Sequence, residues 1–201
     1  GANDFFVFSE SKRKKYSIDP RFLIPCVSKS VHVPDFFLTD KDFQVLKDLD
    51  KPVFLLNAYD LLDENTQAYI RQGEEQELHL RFLTKMRKPW YSIEKRPPAP
   101  ILATVFNRNG VRFVHNLASI SNLTTFHCIY IKRDEIKYSK LLMTFFLSSL
   151  SQKLLLDSSR EYGGGLRKLE PNDFNSSPVP NYSSFDNKEI EYLLEIYEEC
   201  R

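Results

Sequence analysis

The spacing of apolar residues shifts along the chain, and each shift marks a change of element type. Residues 5–8 and 22–27 are short, nearly continuous apolar runs on either side of Lys12-Arg13-Lys14-Lys15. Such runs are β-like, and Asn3-Asp4-Phe5-Phe6-Val7-Phe8 reads as a strand. The pattern then turns helical over 35–86. Thr39 with Asp42 three residues on is a capping pattern, and Phe43, Leu46 and Leu49 follow at helical spacing. Gly73 is expected to stop a second helix through Tyr69 and Ile70. A third helix is expected over 77–85, with Leu78, Phe82 and Met86 on one side.

From 86 to 131 the pattern becomes β. Residues 101–106 and 111–115 flank Asn107-Arg108-Asn109-Gly110, and Asn-Gly between apolar runs is a strong hairpin signal. Residues 126–131 form another strand candidate. Helical spacing returns over 139–159, ending before Gly163-Gly164-Gly165. A loop rich in Pro, Asn and Ser spans 171–184, and a last helix runs over 186–200. Asp186 and Glu189 form its capping pair, and Ile190, Leu193, Leu194 and Tyr197 its apolar stripe. Strands clustered centrally and helices grouped at the end give an α+β fold rather than alternating βαβ. One domain over 1–201 is expected, with subregions 1–34 (β), 35–86 (helical insert), 87–135 (β) and 136–201 (helical hairpin).

Composition narrows the class. With 42% hydrophobic and 13% aromatic residues the chain is globular. Its longest apolar runs fall far short of the roughly 20 residues that span a bilayer, and no signal peptide is visible, so no membrane partner is expected. The opening without Met reads as an excised piece of something longer. Cys26, Cys128 and Cys200 are widely spaced and outside any CxxC or Cys/His cluster. Neither a disulfide framework nor a zinc site is suggested, which implies a reducing compartment, the cytoplasm.

Self-contained catalytic machinery is missing from the sequence. His32, His79, His115 and His127 show no HExxH or other local ligand spacing, and no GxSxG, GxxxxGK[ST] or GxGxxG occurs. Gly163-Gly164-Gly165 is followed by Leu166-Arg167-Lys168, but no Ser or Thr follows the lysine and no strand obviously precedes the glycines, so a P-loop is not completed. The paired carboxylates Asp63/Glu64, Glu74/Glu75 and Glu198/Glu199 lie in polar faces or turns and read as solvated surface.

Charge is balanced in total and segregated along the chain. The formal net charge is +1. Between Arg81 and His115, eight bases (Arg81, Lys85, Arg87, Lys88, Lys95, Arg96, Arg108, Arg112) face only Glu94, a net +7. Between Asp35 and Glu77, 11 acids face 4 bases; between Glu170 and Arg201, 8 acids face 2 bases. Trp90, Tyr91, Pro97, Pro98 and Pro100 interleave the basic stretch. Lys and Arg on one surface bind duplex DNA through counterion release, and Arg can fork onto guanine in the major groove. Aromatic residues there can wedge or stack against bases. Other readings fit the same residues: Trp90 as core, the bases as a solvated rim, and polarised charge as a protein–protein contact.

The series of blocks along the chain resembles the target-recognition region of adenine-specific DNA methyltransferases of the TaqI and Eco57I type. The resemblance is carried by Gly-Ala-Asn-Asp-Phe-Phe at the start, Arg87-Lys88-Pro89-Trp90-Tyr91, Pro100-Ile101-Leu102, Arg112-Phe113-Val114-His115-Asn116, Asn122 ahead of the 126–131 strand, Arg160 through Pro171, and Ser177-Pro178-Val179-Pro180. It covers nearly the whole chain; each block alone is weak, and their order is the specific feature. It implies a β-rich specificity-domain-like core with a helical insert and a C-terminal helical hairpin. Such a domain grips double-stranded DNA while a covalently linked N-terminal methyltransferase domain binds S-adenosylmethionine and methylates N6 of a flipped adenine, within a restriction–modification system. Neither the Asn/Asp-Pro-Pro-Tyr/Phe tetrapeptide nor an FxGxG cofactor loop is present, so these 201 residues are expected to hold no cofactor and to transfer no methyl group alone. The candidate DNA-binding residues are Arg87, Lys88, Trp90, Tyr91, Lys95, Arg96, Arg108, Arg112, Gly163, Gly164, Gly165 and Lys168. Arg108 is expected at a hairpin tip. The glycines fit either a loop of close backbone approach to DNA or an ordinary left-handed helix cap. Asn116 and Asn122 fit either adenine readout or local backbone satisfaction. A specificity subunit, a region of a combined restriction–methylation enzyme, and a non-catalytic protein-interaction domain remain alternatives.

Overall fold

The computed structural model describes residues 2–201 apart from 60, 108, 109, 133, 159, 163 and 164, with the side chains of 156, 158 and 160–162 also left aside. In chain order the helices are α1 (Asn3–Phe6), α2 (Glu10–Lys15), α3 (Asp40–Asp48), α4 (Glu64–Glu75), α5 (Glu135–Leu147), α6 (Ser149–Ser158), α7 (Pro171–Ser176) and α8 (Asn187–Cys200). The strands are β1 (Val7–Phe8), β2 (Leu23–Val27), β3 (Phe37–Leu38), β4 (Phe54–Leu56), β5 (Ile101–Thr104), β6 (Phe106–Asn107), β7 (Phe113–Asn116), β8 (Ser121–Asn122), β9 (Phe126–Ile129), β10 (Arg160–Tyr162) and β11 (Leu166–Lys168). The fold is mixed α and β, as the apolar spacing indicates. Two compact units divide it: Gly1–Ser28 with Asp40–Pro98 and Ile120–Leu123, and Lys29–Thr39 with Ala99–Ser119 and Thr124–Arg201.

The first unit holds a sheet in the order β1-β4-β2-β8, antiparallel except for the parallel β2–β8 pair. Its opening corrects the expected strand over Asn3–Phe8: Asn3–Phe6 is a helical turn and only Val7–Phe8 is extended. Adjacent residues of a strand point to opposite faces, whereas one helical turn lets Phe5 and Phe6 both enter the core. Lys12 holds that turn closed. Its ammonium donates to the carbonyls of Asp4, Phe5 and Val7 and lies 4.2 Å from the Phe8 ring centroid. The basic run Lys12–Lys15 is helical, because Ser9 caps α2 by accepting from Lys12 N and Arg13 pairs with Glu10 one turn back.

Gly73 does not end its helix; α4 runs on to Glu75. A Cβ at this position would lie 2.6 Å from Trp90 Cη2 and 2.7 Å from the Phe5 ring, so the glycine lets the rings pack against the helix. The third helix expected over 77–85 reduces to a 3-10 turn at Leu78–Leu80. Leu78 is buried, but Phe82 and Met86 are exposed instead of sharing its face. Strands β4 and β8 also belong to this unit, without an alternating apolar signature in the sequence.

In the second unit the sheet order is β3-β7-β5-β9. The expected Asn-Gly hairpin is formed by β5 and β7, with Ile101 opposite His115 and Ala103 opposite Phe113. The expected strand continuing to 106 breaks away as β6 and joins a second sheet, β10-β11-β6. The long helix expected over 139–159 starts earlier, at the Asp134 cap, and is interrupted at Ser148, whose ψ is 153° and whose Oγ accepts from Ser151 N. Helices α5 and α8 form the C-terminal hairpin: Lys140 pairs with Glu198, and Thr144 Oγ1 donates to Leu193 O. The capping box of α8 is present as the sequence indicates, with Asp186 and Glu189 reciprocally bonded. Beneath the helices the core stacks Phe113 on Phe146 with centroids 3.9 Å apart.

Candidate nucleic-acid interface

The basic stretch 81–98 lies in the first unit, and its side chains divide into braces and exposed cations. Arg87 donates from Nη1 to Ser92 O at 3.0 Å and sits 5.5 Å from the Phe6 ring. It thereby closes the loop on itself. Trp90 packs against Phe5 and Phe6, and its indole N–H donates to Glu74 at 3.0 Å. Of the two readings of this residue, the contacts are those of core; Tyr91 joins the same cluster. Lys88 is exposed. Lys95 covers the Tyr59 ring at 3.8 Å, and Arg96 reaches Asn122 O at 3.5 Å with Glu94 3.9 Å away. These contacts are made by the cationic heads themselves and fix where each stands, while both side chains remain exposed.

In the second unit two separate sequence signals become neighbours. Strand β6 pairs antiparallel with β11, so Asn107 lies opposite Arg167 and Phe106 opposite Lys168. The strand entering the Asn-Gly turn therefore runs alongside the strand that leaves the glycine run. Arg108, Asn109, Gly163 and Gly164, all part of the expected site or its turn, lie outside the described residues. Gly165 is left-handed at φ +72° with open space around its Cα, and Gly110 has φ +92°. The helix-cap reading of the glycines is corrected: α6 ends at Ser158, and β10 intervenes. A strand thus precedes the glycines, yet a strand rather than a helix follows, which still leaves a P-loop incomplete.

Side chains missed by sequence inspection hold this turn in place. Gln152, on α6, accepts from Val111 N at 3.0 Å and donates to Val111 O at 2.9 Å, imitating a neighbouring strand. A Cβ on Gly110 would meet its Oε1 at 2.6 Å. Buried Asn107 donates to Thr104 O at 2.9 Å while Thr104 Oγ1 accepts from Arg112 N at 3.1 Å. A lone Gln on a helix carries no local signal for such a clamp. Arg112 donates to Ser30 O at 2.6 Å and Pro34 O at 2.9 Å, and burial lowers its pKa against the opposing influence of Asp35. Lys168 pairs with Glu170 at 2.6 Å and lies 5.7 Å from the exposed Phe106 ring. An open cleft of about 1150 Å3 lies here, lined by Phe106, Asn107, Gly110, Arg112, Gln152 and Arg167 among others.

Asn116 and Asn122 are buried; their amides donate to Ala99 O and Leu123 O, the local backbone alternative. Among the described residues, no three His, Cys, Asp or Glu side chains are grouped as metal ligands, and no helix is long and apolar enough to cross a membrane.

Residues 1–201 match the family described as the C-terminal domain of the Type II methyltransferase M.Eco57I. The Type II methyltransferase M.AccI of Acinetobacter calcoaceticus is 42% identical over 203 residues, covering all of this chain and 38% of that protein. The Type II methyltransferase M.XamI of Xanthomonas campestris pv. amaranthicola is 27% identical over 100 residues, half of this chain and 18% of that one. The chain thus spans well under half the length of these curated relatives. In fold it is similar to the type IIG restriction endonuclease BpuSI, with a TM-score of 0.60 at 18% identity over 99% of this chain and 24% of that one.

Proposed function

This chain belongs to the family of C-terminal domains represented by the Type II methyltransferase M.Eco57I, and from that premise we propose that it recognises double-stranded DNA for a linked N-terminal methyltransferase domain of a restriction–modification system. The linked domain would bind S-adenosylmethionine and methylate adenine N6. The observation that supports the DNA role is the β6–β11 pairing, which sets Asn107 opposite Arg167 and Phe106 opposite Lys168 beside one open cleft that Asn107, Gly110, Arg112 and Arg167 line. Lys168 in the second unit is a candidate phosphate contact, as are Lys88, Lys95 and Arg96 in the first; contacts of this kind position a duplex without reading sequence. Arg108, in the Asn-Gly turn, is the candidate for base-edge readout, while Arg87 and Arg112 keep the loops in shape.

A salt titration of duplex binding tests this. With about four phosphates neutralised, log K falls against log salt with a slope near −3.6. A flat dependence, or no binding at low salt, overturns the proposal. Arg96→Ala should weaken all sequences alike and reduce the slope by about one, whereas Arg108→Ala should relax preference at one position by about 1–3 kcal/mol. Binding selected from a mixed-sequence duplex pool separates the two outcomes.

A further inference from the structure

The segment 80–88 is built in an unusual way for a surface turn. Leu80, Phe82, Leu83 and Met86 are 59%, 75%, 63% and 76% exposed. They amount to four of the fifteen large exposed apolar side chains among the described residues, within seven consecutive positions. Local hydrogen bonds hold them outward. Thr84, only 3% exposed, donates through Oγ1 to the carbonyl of Leu78 and also lies within bonding distance of Arg81 O. Lys85 N and Arg87 N close successive turns onto Arg81 O at 2.9 Å and Thr84 O at 3.0 Å. One buried threonine thus anchors a turn whose apolar residues face solvent, where single scattered apolar residues would be unremarkable and a cluster is not.

The charges in this turn select the partner. Arg81, Lys85 and Lys88 are exposed between and beside the apolar residues, and no acid occurs from Leu78 to Ile93. The Lys85 ammonium lies 5.6 Å from the Phe82 ring, so cation and apolar group present one surface. A dry protein–protein contact depletes lysine at its centre. Duplex DNA instead offers phosphates to the cations and, within the same few ångströms, sugars, thymine methyls and base edges to the apolar groups.

We infer that residues 80–88 form a DNA-contacting turn, in which Phe82, Leu83 and Met86 touch sugars and bases while Arg81, Lys85 and Lys88 engage phosphates. This assignment rests on the DNA-recognition role proposed above, and it shifts apolar contact with DNA away from Trp90, which is half-buried against the Phe5 and Phe6 cluster.

Hydroxyl-radical footprinting read by mass spectrometry tests it on the full chain with a mixed-sequence duplex pool at low salt. Oxidation of Phe82, Leu83 and Met86 should fall several-fold when duplex is added. The variant Phe82→Ser/Met86→Ser, which alters only exposed side chains, should bind about tenfold more weakly with the salt slope unchanged, because no charge is lost. Lys85→Gln/Lys88→Gln should instead flatten the slope by about two. If duplex binds but these residues stay equally oxidised, or the double serine variant binds like wild type, this inference fails and the DNA role stands. If wild type does not bind duplex, both fail. Protection that rises with protein concentration without DNA would point to a second copy and overturn the inference. Protection in a longer chain carrying the N-terminal domain, again without DNA, would point to that domain and likewise overturn it.

Discussion

His115 shows how one buried titratable side chain ties stability to pH. Burial, followed by the nearby Lys140 and Arg201, pushes its pKa down to about 4, and its Nδ1 shares a 2.6 Å hydrogen bond with Tyr197 Oη. The folded state therefore keeps the ring neutral where the unfolded chain, with a pKa near 6.5, binds a proton. Its contribution is full above about pH 6.5 and is lost as pH falls toward 4, at no more than about 1.4 kcal/mol per pH unit. Urea midpoints measured across that window should fall, and His115→Gln should flatten the decline. Gln152 invites a second measurement at this scale. Gln152→Ala removes both of its bonds to Val111 and leaves that backbone short of partners, at a cost of about 1–3 kcal/mol. Under the DNA-recognition role proposed above, sequence preference should loosen with it, while the salt slope stays as in wild type. His115 was legible only as a residue without ligand spacing, and Gln152 was not legible, since what each touches lies 82 and 41 positions away in sequence.

At the scale of elements, short-range chemistry was readable and long-range packing was not. The last helix was legible because Asp186 and Glu189 bond each other's backbone within one turn. Asp186→Ala should cost about 1 kcal/mol in chemical denaturation. Helix α4 was misread at Gly73 because a glycine in a helix usually signals an end, whereas here it makes room for rings from distant segments. Two effects compete on adding a methyl group. Helix propensity favours Ala over Gly by about 1 kcal/mol. The clash with Trp90 and Phe5, both held in a packed cluster, costs about 1–3 kcal/mol. The clash should win, so Gly73→Ala should lower the unfolding midpoint. A rise would show that the aromatic cluster yields. The helix expected over 77–85 failed for a related reason. Its apolar residues have the right spacing, but Glu77 turns left-handed at φ 56° and buried Thr84 takes a helix-interior place for its own hydrogen bonds.

Across the whole molecule, the α+β class, the Asn-Gly hairpin of β5 and β7, the capped C-terminal helix and the segregated charge were determined by sequence alone. Each depends on residues close together in the chain or on composition, so no knowledge of distant partners is needed. The family likeness was equally legible, because a series of motifs in order survives without coordinates. Tertiary structure alone decided that the chain forms two compact units from interleaved segments and that two-residue strands such as β3, β6 and β8 exist at all. A strand of two residues has no periodicity to read; it is defined by a partner that only folding supplies. Tertiary structure likewise decided that Trp90 packs against the Phe5 and Phe6 cluster, half-buried, while Phe82, Leu83 and Met86 face water. The same apolar side chain serves core or surface according to which faces other segments cover, and that coverage is a property of the folded chain.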